Sequence, residues 1–201
     1  MNNKFLQELS KARLRTVKNL PEMFFFTDRK RFIKKEDIFS VVRNLPENTA
    51  IIIRDYDLKN DERFNFAKQI ITIARKKKLK TLIGKDWNLA EKVGADGVHF
   101  SDLDQNIVTL ESRHKMILSY SCHKPESIIK AEKLNVDLVF YSPIFLSSSH
   151  PNQQPVGVDG LNNFINQTKL PVYALGGINE KNIELLKNTN ISGIGGISMF
   201  L

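Results

Sequence analysis

The chain has 201 residues, with 30 basic against 22 acidic side chains and a formal net charge of +8. That length fits one domain with a sizeable core, and a composition of 41% hydrophobic and 26% charged residues excludes a disordered chain. The single cysteine, Cys122, excludes an internal disulfide and an all-cysteine metal site.

Residues 1–20 carry charge throughout instead of the apolar stretch of a signal peptide. No apolar run is long enough to span a membrane. The expectation is a cytoplasmic protein with no membrane partner. Leu6, Leu9, Val17 and Leu20 form a rough apolar stripe on a basic N-terminal helix.

From there short apolar runs alternate with amphipathic stretches. Met23 to Thr27 reads as a strand, and Lys35 to Leu45 as a helix with Ile38, Val41, Val42 and Leu45 on one face. Ala50 to Arg54 is a β-branched strand, and Asp61 to Lys78 a helix. The cations Arg75 to Lys78 at its end complement the helix dipole. Strand Thr81 to Ile83, helix Asn88 to Val93 and strand Gly97 to Phe100 follow. Met116 to Cys122 is a strand, Pro125 to Leu134 a helix and Leu138 to Ile144 a strand. After a long polar loop come helix Leu161 to Gln167, strand Pro171 to Leu175, helix Glu180 to Lys187 and strand Ile194 to Ser198.

Eight strands joined mainly by helices imply parallel pairing with right-handed crossovers. Their continuous apolar character requires cover on both faces. The pattern fits a (β/α)8 TIM barrel better than a doubly wound sheet, since no G-x-G-x-x-G follows the first strand. The expected organisation is an N-terminal helical extension over residues 1–22 and a barrel domain over 23–201 that lacks a full eighth helix. The extension would cover the surface that helix normally covers; a second subunit in a homodimer is the alternative. No arginine–aromatic interleaving or zinc-finger spacing supports a nucleic-acid partner.

A barrel places its site at the C-terminal ends of its strands. Here those ends are polar and rich in glycine, serine and cations, which favours an anionic ligand. Gly176, Gly177 and Ile178 follow strand seven, and Gly195 and Gly196 lie in strand eight, which ends at Ile197 and Ser198. Small residues let phosphate approach backbone N–H groups, and a helix starting near Asn179 would add its dipole. His99 reads as a hydrogen-bonded structural residue, Cys122 as a small packing residue, and Trp87 as either a stacking surface or a hydrophobic cover.

These pieces resemble the thiamine phosphate synthase and thiazole tautomerase superfamily. The matching stretches are FFFTDR ending at Arg29, Arg54 closing strand two, VGADGVHFSDLD (93–104), SYSCH (119–123), SPIFLSSSHPNQQPVGVDGL (142–161), ALGGI (174–178) and GGIS (195–198). The resemblance implies a transferase of thiamine biosynthesis that joins hydroxymethylpyrimidine pyrophosphate to thiazole phosphate, releasing pyrophosphate, usually with Mg²⁺ bridging phosphate oxygens.

Carried over by position, the resemblance assigns Arg54 to the pyrophosphate, Asp104 to the metal and Ser121 to the strand-five site, with His123 two residues on. It assigns Ser147, Ser149 and His150 to the strand-six loop, and Gly176, Gly177, Ile197 and Ser198 to the phosphate. Two family threonines fall on Ser147 and Ser149, which keep the hydroxyls, but four family positions are changed. Two lysines are replaced by Tyr56 and His150, and an Asn-Asp pair, whose aspartate is a metal ligand, by Gly84 and Lys85. The thiazole-phosphate half is therefore expected to be intact and the metal half altered, with Lys85 standing in for metal charge. Two alternatives follow from the same residues. One is a thiazole tautomerase using His123 as proton shuttle; the other is a non-catalytic binder of phosphorylated thiamine precursors.

Overall fold

The computed structural model describes residues 5–6, 9, 14–32, 38–105, 107, 116–147 and 153–201. Eight parallel strands close into a barrel in chain order. They are β1 (Met23–Phe26), β2 (Thr49–Ile53), β3 (Lys80–Gly84), β4 (Gly97–Ser101), β5 (Ile117–Cys122), β6 (Leu138–Tyr141), β7 (Val172–Leu175) and β8 (Gly193–Gly196). Phe25 pairs with Gly196, which closes the ring between β1 and β8. The expected barrel is present.

The two-residue strand period sorts side chains into two apolar layers. Phe24, Phe26, Ala50, Ile52, Leu82, Leu138, Phe140 and Tyr173 fill the barrel interior. Their neighbours Phe25, Ile51, Ile53, Val139 and Ala174 face the outer helices. Inside, aromatic edges pack on one another: Phe24 lies 5.0 Å from Phe140 and 5.1 Å from Tyr173, both T-shaped. These rings take the space that β8 leaves. A Cβ on Gly195 would sit 2.9 Å from Phe26, and one on Gly193 would sit 2.6 Å from Tyr173. Gly193 and Gly195 thus serve close packing inside the barrel, so at Gly195 the small residue makes room for Phe26 and Phe140 and not, as expected, for phosphate. Tyr173 donates to the Pro21 carbonyl at 2.7 Å, tying the barrel floor to the chain entering β1.

The outer helices are α1 (Ile38–Asn44), α2 (Asn60–Lys76), α3 (Trp87–Val93), α4 (Ser127–Lys133) and α5 (Gly157–Ile165). In α2 the buried positions Phe66, Ala67, Ile70, Ile71 and Ala74 recur at helical spacing. Asp61 and Glu62 open it and Arg75 and Lys76 close it, matching the dipole. The basic end also carries hydrogen bonds. Arg75 donates to the Gly94 carbonyl at 2.7 Å, and Lys77 to the Arg43 and Leu45 carbonyls at 2.6 and 2.8 Å. Asp86 caps α3 by accepting from Leu89 N–H at 2.9 Å, and Gly94 ends it in the left-handed region.

Three expected elements differ. The helix expected over Glu180 to Lys187 is a single 3-10 turn, Ile183–Leu186. Asn179 and Asn182 explain this: Asn182 Oδ1 accepts from Asn179 N–H at 2.8 Å and Asn179 Oδ1 from Lys181 N–H at 2.9 Å. Such side-chain-to-backbone bonds compete with the helix ladder. Second, α5 starts at Gly157, before the expected Leu161, within a stretch that two glycines made read as loop. Upstream of β1, Phe5 and Leu9 are helical and buried in the outer core, whereas residues 14–20 contain no helix.

Candidate functional site

The strands deliver their C-terminal ends to one cavity of about 380 Å³. Its floor includes Phe26, His99 and Leu175. Its wall carries Arg54, Tyr56, Lys85, Asp104, Ser121 and His123 on one side, with Ser147, Gly176, Gly177, Ile197 and Ser198 completing it. The expected residues Ser149 and His150 lie outside the described residues. All the other expected site residues line this cavity.

Gly176 and Gly177 form one end. Their φ angles are 95° and 71°, a region costly for any residue with a Cβ. A Cβ on Gly177 would sit 2.6 Å from the Phe145 carbonyl oxygen. Leu175 pairs with Gly195, so the β7 and β8 loops are adjacent. The following turn is a 3-10 helix of only four residues, so the expected helix dipole does not reach this loop. Arg31, which the sequence reading missed, adds a cation here: its Nη1 donates to Ser198 Oγ at 3.0 Å. Asp28 orients it through an ion pair of 3.0 Å to Nε.

Arg54 is held from behind. Its N–H donates to Thr27 Oγ1 at 2.9 Å and its Nε to the Thr27 carbonyl at 3.3 Å. Thr27 Oγ1 in turn donates to buried Asp55 at 2.5 Å. The Arg54 guanidinium lies 5.3 Å above the Phe26 ring. Burial lowers its pKa, against the pull of Tyr56, Asp28 and Asp55, yet a guanidinium stays charged. It is a fixed, desolvated fork suited to phosphoryl oxygens.

Lys85 Nζ sits 2.5 Å from Asp104 Oδ1 and 5.0 Å from the Tyr56 ring centre. The second Asp104 oxygen accepts from Ser101 N–H at 2.8 Å and Ser101 Oγ at 3.1 Å. Arg63 approaches the Tyr56 ring at 5.3 Å and donates to the Gly84 carbonyl at 2.6 Å.

This donor set does not suit Mg²⁺, which takes oxygen ligands in near-octahedral geometry. The carboxylate at the expected metal position already has both oxygens engaged, one of them by an ammonium. Asp86 is committed to the α3 cap and to Arg63 at 3.5 Å. Among the described residues no group of three or more His, Cys, Asp and Glu could hold a metal ion.

His123 Nδ1 lies 2.5 Å from Asp102 Oδ1. Asp102 Oδ2 accepts from His123 N–H at 2.7 Å and from Ser127 Oγ at 2.5 Å. Burial raises the Asp102 pKa, but the bonds from His123 and Ser127 outweigh it and hold it at about 2. Asp102 therefore fixes the imidazole orientation beside the cavity.

His99 bridges Ser119 Oγ at 2.9 Å and Ser121 Oγ at 3.2 Å. Burial, followed by Arg54, His123 and Lys85, depresses its pKa to about 3. It is neutral, so one serine hydroxyl donates to it and the other accepts. Cys122 is buried and its thiol pKa is raised by burial. Trp87 is buried 6.1 Å from Phe100 and covers the outside of the barrel.

Residues 23–200 match the family model described as thiamine monophosphate synthase. A protein of Aquifex aeolicus named "Putative thiamine-phosphate synthase 2" is 35% identical over 184 residues, 90% of this chain and 98% of the relative. The thiamine-phosphate synthase of Clostridium tetani is 30% identical over 188 residues, covering 92% and 90%. The solved thiamine phosphate pyrophosphorylase from Pyrococcus furiosus superposes with a TM-score of 0.73 at 26% identity, covering 88% of this chain and 85% of that one. The chain belongs to the thiamine monophosphate synthase family.

Proposed function

We propose that this protein joins hydroxymethylpyrimidine pyrophosphate to thiazole phosphate, forming thiamine phosphate and pyrophosphate. The observation that carries this reading is a single cavity with the glycine-containing β7 and β8 loops at one end and the cations Arg54 and Lys85 at the other. The substrates carry phosphate and pyrophosphate and meet through apolar rings, which suits a lining that also includes Phe26, Leu103 and Leu146.

In the reaction the carbon–oxygen bond to pyrophosphate breaks and its electron pair leaves with the pyrophosphate. The thiazole nitrogen then forms the new carbon–nitrogen bond, and no proton has to move. Catalysis is therefore electrostatic: groups already in place stabilise charge as it develops. Arg54 and Lys85 are assigned to the leaving pyrophosphate. Gly176, Gly177, Ile197 and Ser198, with Arg31, are assigned to the thiazole phosphate. Ser121 and Ser147 contribute hydroxyls between them. The family association with Mg²⁺ supplies no step here, because the donors around Asp104 do not fit it.

The His123–Asp102 pair favours a second reading, thiazole tautomerisation, in which His123 would move a proton on the phosphate-anchored ring. Incubation of purified protein with each substrate alone and with both separates the two. The synthase reading predicts thiamine phosphate and pyrophosphate in equal amounts only when both are present. Isomerised thiazole without any condensation product would replace it with the tautomerase reading.

A further inference from the structure

Tyr56, Gly84 and Lys85, the three positions that the family resemblance marks as replaced around the metal, meet in space. A Cβ at Gly84 would lie 2.9 Å from Tyr56 Cε1 and closer still to its hydroxyl, so the Tyr56 ring lies where a side chain at position 84 would start. That ring in turn faces the Lys85 ammonium at 5.0 Å. Lys85 itself has φ of 64°, an unusual conformation for an unbranched cation, and one that aspartate and asparagine adopt more readily. Its N–H donates to the His99 carbonyl at 2.8 Å, which holds this backbone on β4. The ammonium reaches Asp104 at 2.5 Å while the Lys85 side chain, which lines the cavity, stays 44% exposed. Tyr56, Gly84 and Lys85 are thus one linked set of replacements.

We infer that this set replaces a divalent cation: Lys85, held between the Asp104 carboxylate and the Tyr56 ring, binds pyrophosphate oxygens directly, and the site engages pyrophosphate without Mg²⁺. An ammonium has three donors, so it can keep Asp104 as one partner and bind phosphoryl oxygens with the others. Cation–π contact with Tyr56 keeps it in place when the pocket is empty. The inference rests on the synthase reading for the identity of the anion, and its test is separable from that reading.

Inorganic pyrophosphate is titrated calorimetrically into the full-length protein, in EDTA and in Mg²⁺. Wild type is expected to bind in EDTA, with affinity changing less than about threefold on adding Mg²⁺. Lys85→Met is expected to weaken binding by about tenfold or more in both, the equivalent of one charge-assisted hydrogen bond. Lys85→Asp is expected to lose binding in EDTA and to regain about tenfold with Mg²⁺. Circular dichroism confirms folding, and the Met variant stands if the Asp variant does not fold. Wild-type binding that requires Mg²⁺, or an unchanged affinity in Lys85→Met, overturns the inference. Turnover is scored separately. EDTA-resistant pyrophosphate binding with no synthesis overturns the synthase reading and leaves the inference. Synthesis that requires Mg²⁺ overturns the inference and leaves the reading.

Discussion

The two ends of the cavity are built from different materials. At the β7–β8 end the essential feature is backbone: Gly176 and Gly177 at positive φ, with no room for a Cβ at Gly177 because of the Phe145 and Leu146 carbonyls. At the β2–β4 end it is side chains: Arg54, Lys85 and Asp104, supported by Tyr56. Backbone geometry has one solution, and a substitution there breaks it. A charge constellation has several solutions, and lysine on aspartate is one of them. This contrast makes the side-chain end the one that tolerates substitution and the backbone end the one that does not.

The most damaging test of the backbone end is Gly177→Ala. It adds strain of about 1–2 kcal/mol for the left-handed conformation, plus a clash with Phe145. The account predicts a fall in kcat/KM of about 10²- to 10³-fold, the scale of losing one preorganised backbone donor, together with a lower melting temperature. A variant with near wild-type kinetics would show that the loop does not hold the phosphate.

At the side-chain end, Arg54→Ala is expected to lower kcat/KM by about 10- to 100-fold, the scale of a charge-assisted pair. Arg54→Lys should recover little of it, because an ammonium cannot reproduce the fork. Full rescue by lysine would reduce Arg54 to a generic positive charge.

His123→Asn sharpens the comparison in another way. Since condensation moves no proton, thiamine phosphate synthesis should fall by less than about tenfold. A tautomerase would lose about 10²- to 10⁴-fold of thiazole isomerisation. The two assays on one variant assign the histidine.

The smallest expected effect concerns stability. His99, held near pKa 3 against an ordinary 6.5, stays neutral when the unfolded chain takes up a proton. Its native environment therefore makes stability full above pH 6.5, and stability falls as pH drops from 6.5 toward 3. His99→Leu should flatten that acid limb in urea titrations. It should also cost about 1–3 kcal/mol at neutral pH by leaving the Ser119 and Ser121 hydroxyls without their partner. An unchanged acid limb would mean that another group governs it.

Much of this was legible in the residues themselves. Strands such as Ile51–Ile53 or Val139–Tyr141 are apolar on both faces and admit no one-sided sheet, which leads to the closed barrel. Gly176-Gly177 after an apolar run signalled its turn. What was not legible depends on partners distant in the chain. Arg31 meets Ser198 across 167 positions. Asp102 meets His123, 21 positions on at the end of β5, through a pairing that no local spacing signals. The turn after β7 is 3-10 where a helix is expected, because the Asn179 and Asn182 side chains bond the backbone that the helix ladder would use.

The most direct test of the division of labour is the KM of each substrate in Arg54→Ala and Gly177→Ala, measured with the other substrate saturating. The account predicts a crossed result: Arg54→Ala raises KM for the pyrimidine pyrophosphate, and Gly177→Ala raises KM for the thiazole phosphate. Both variants weakening the same substrate would contradict it.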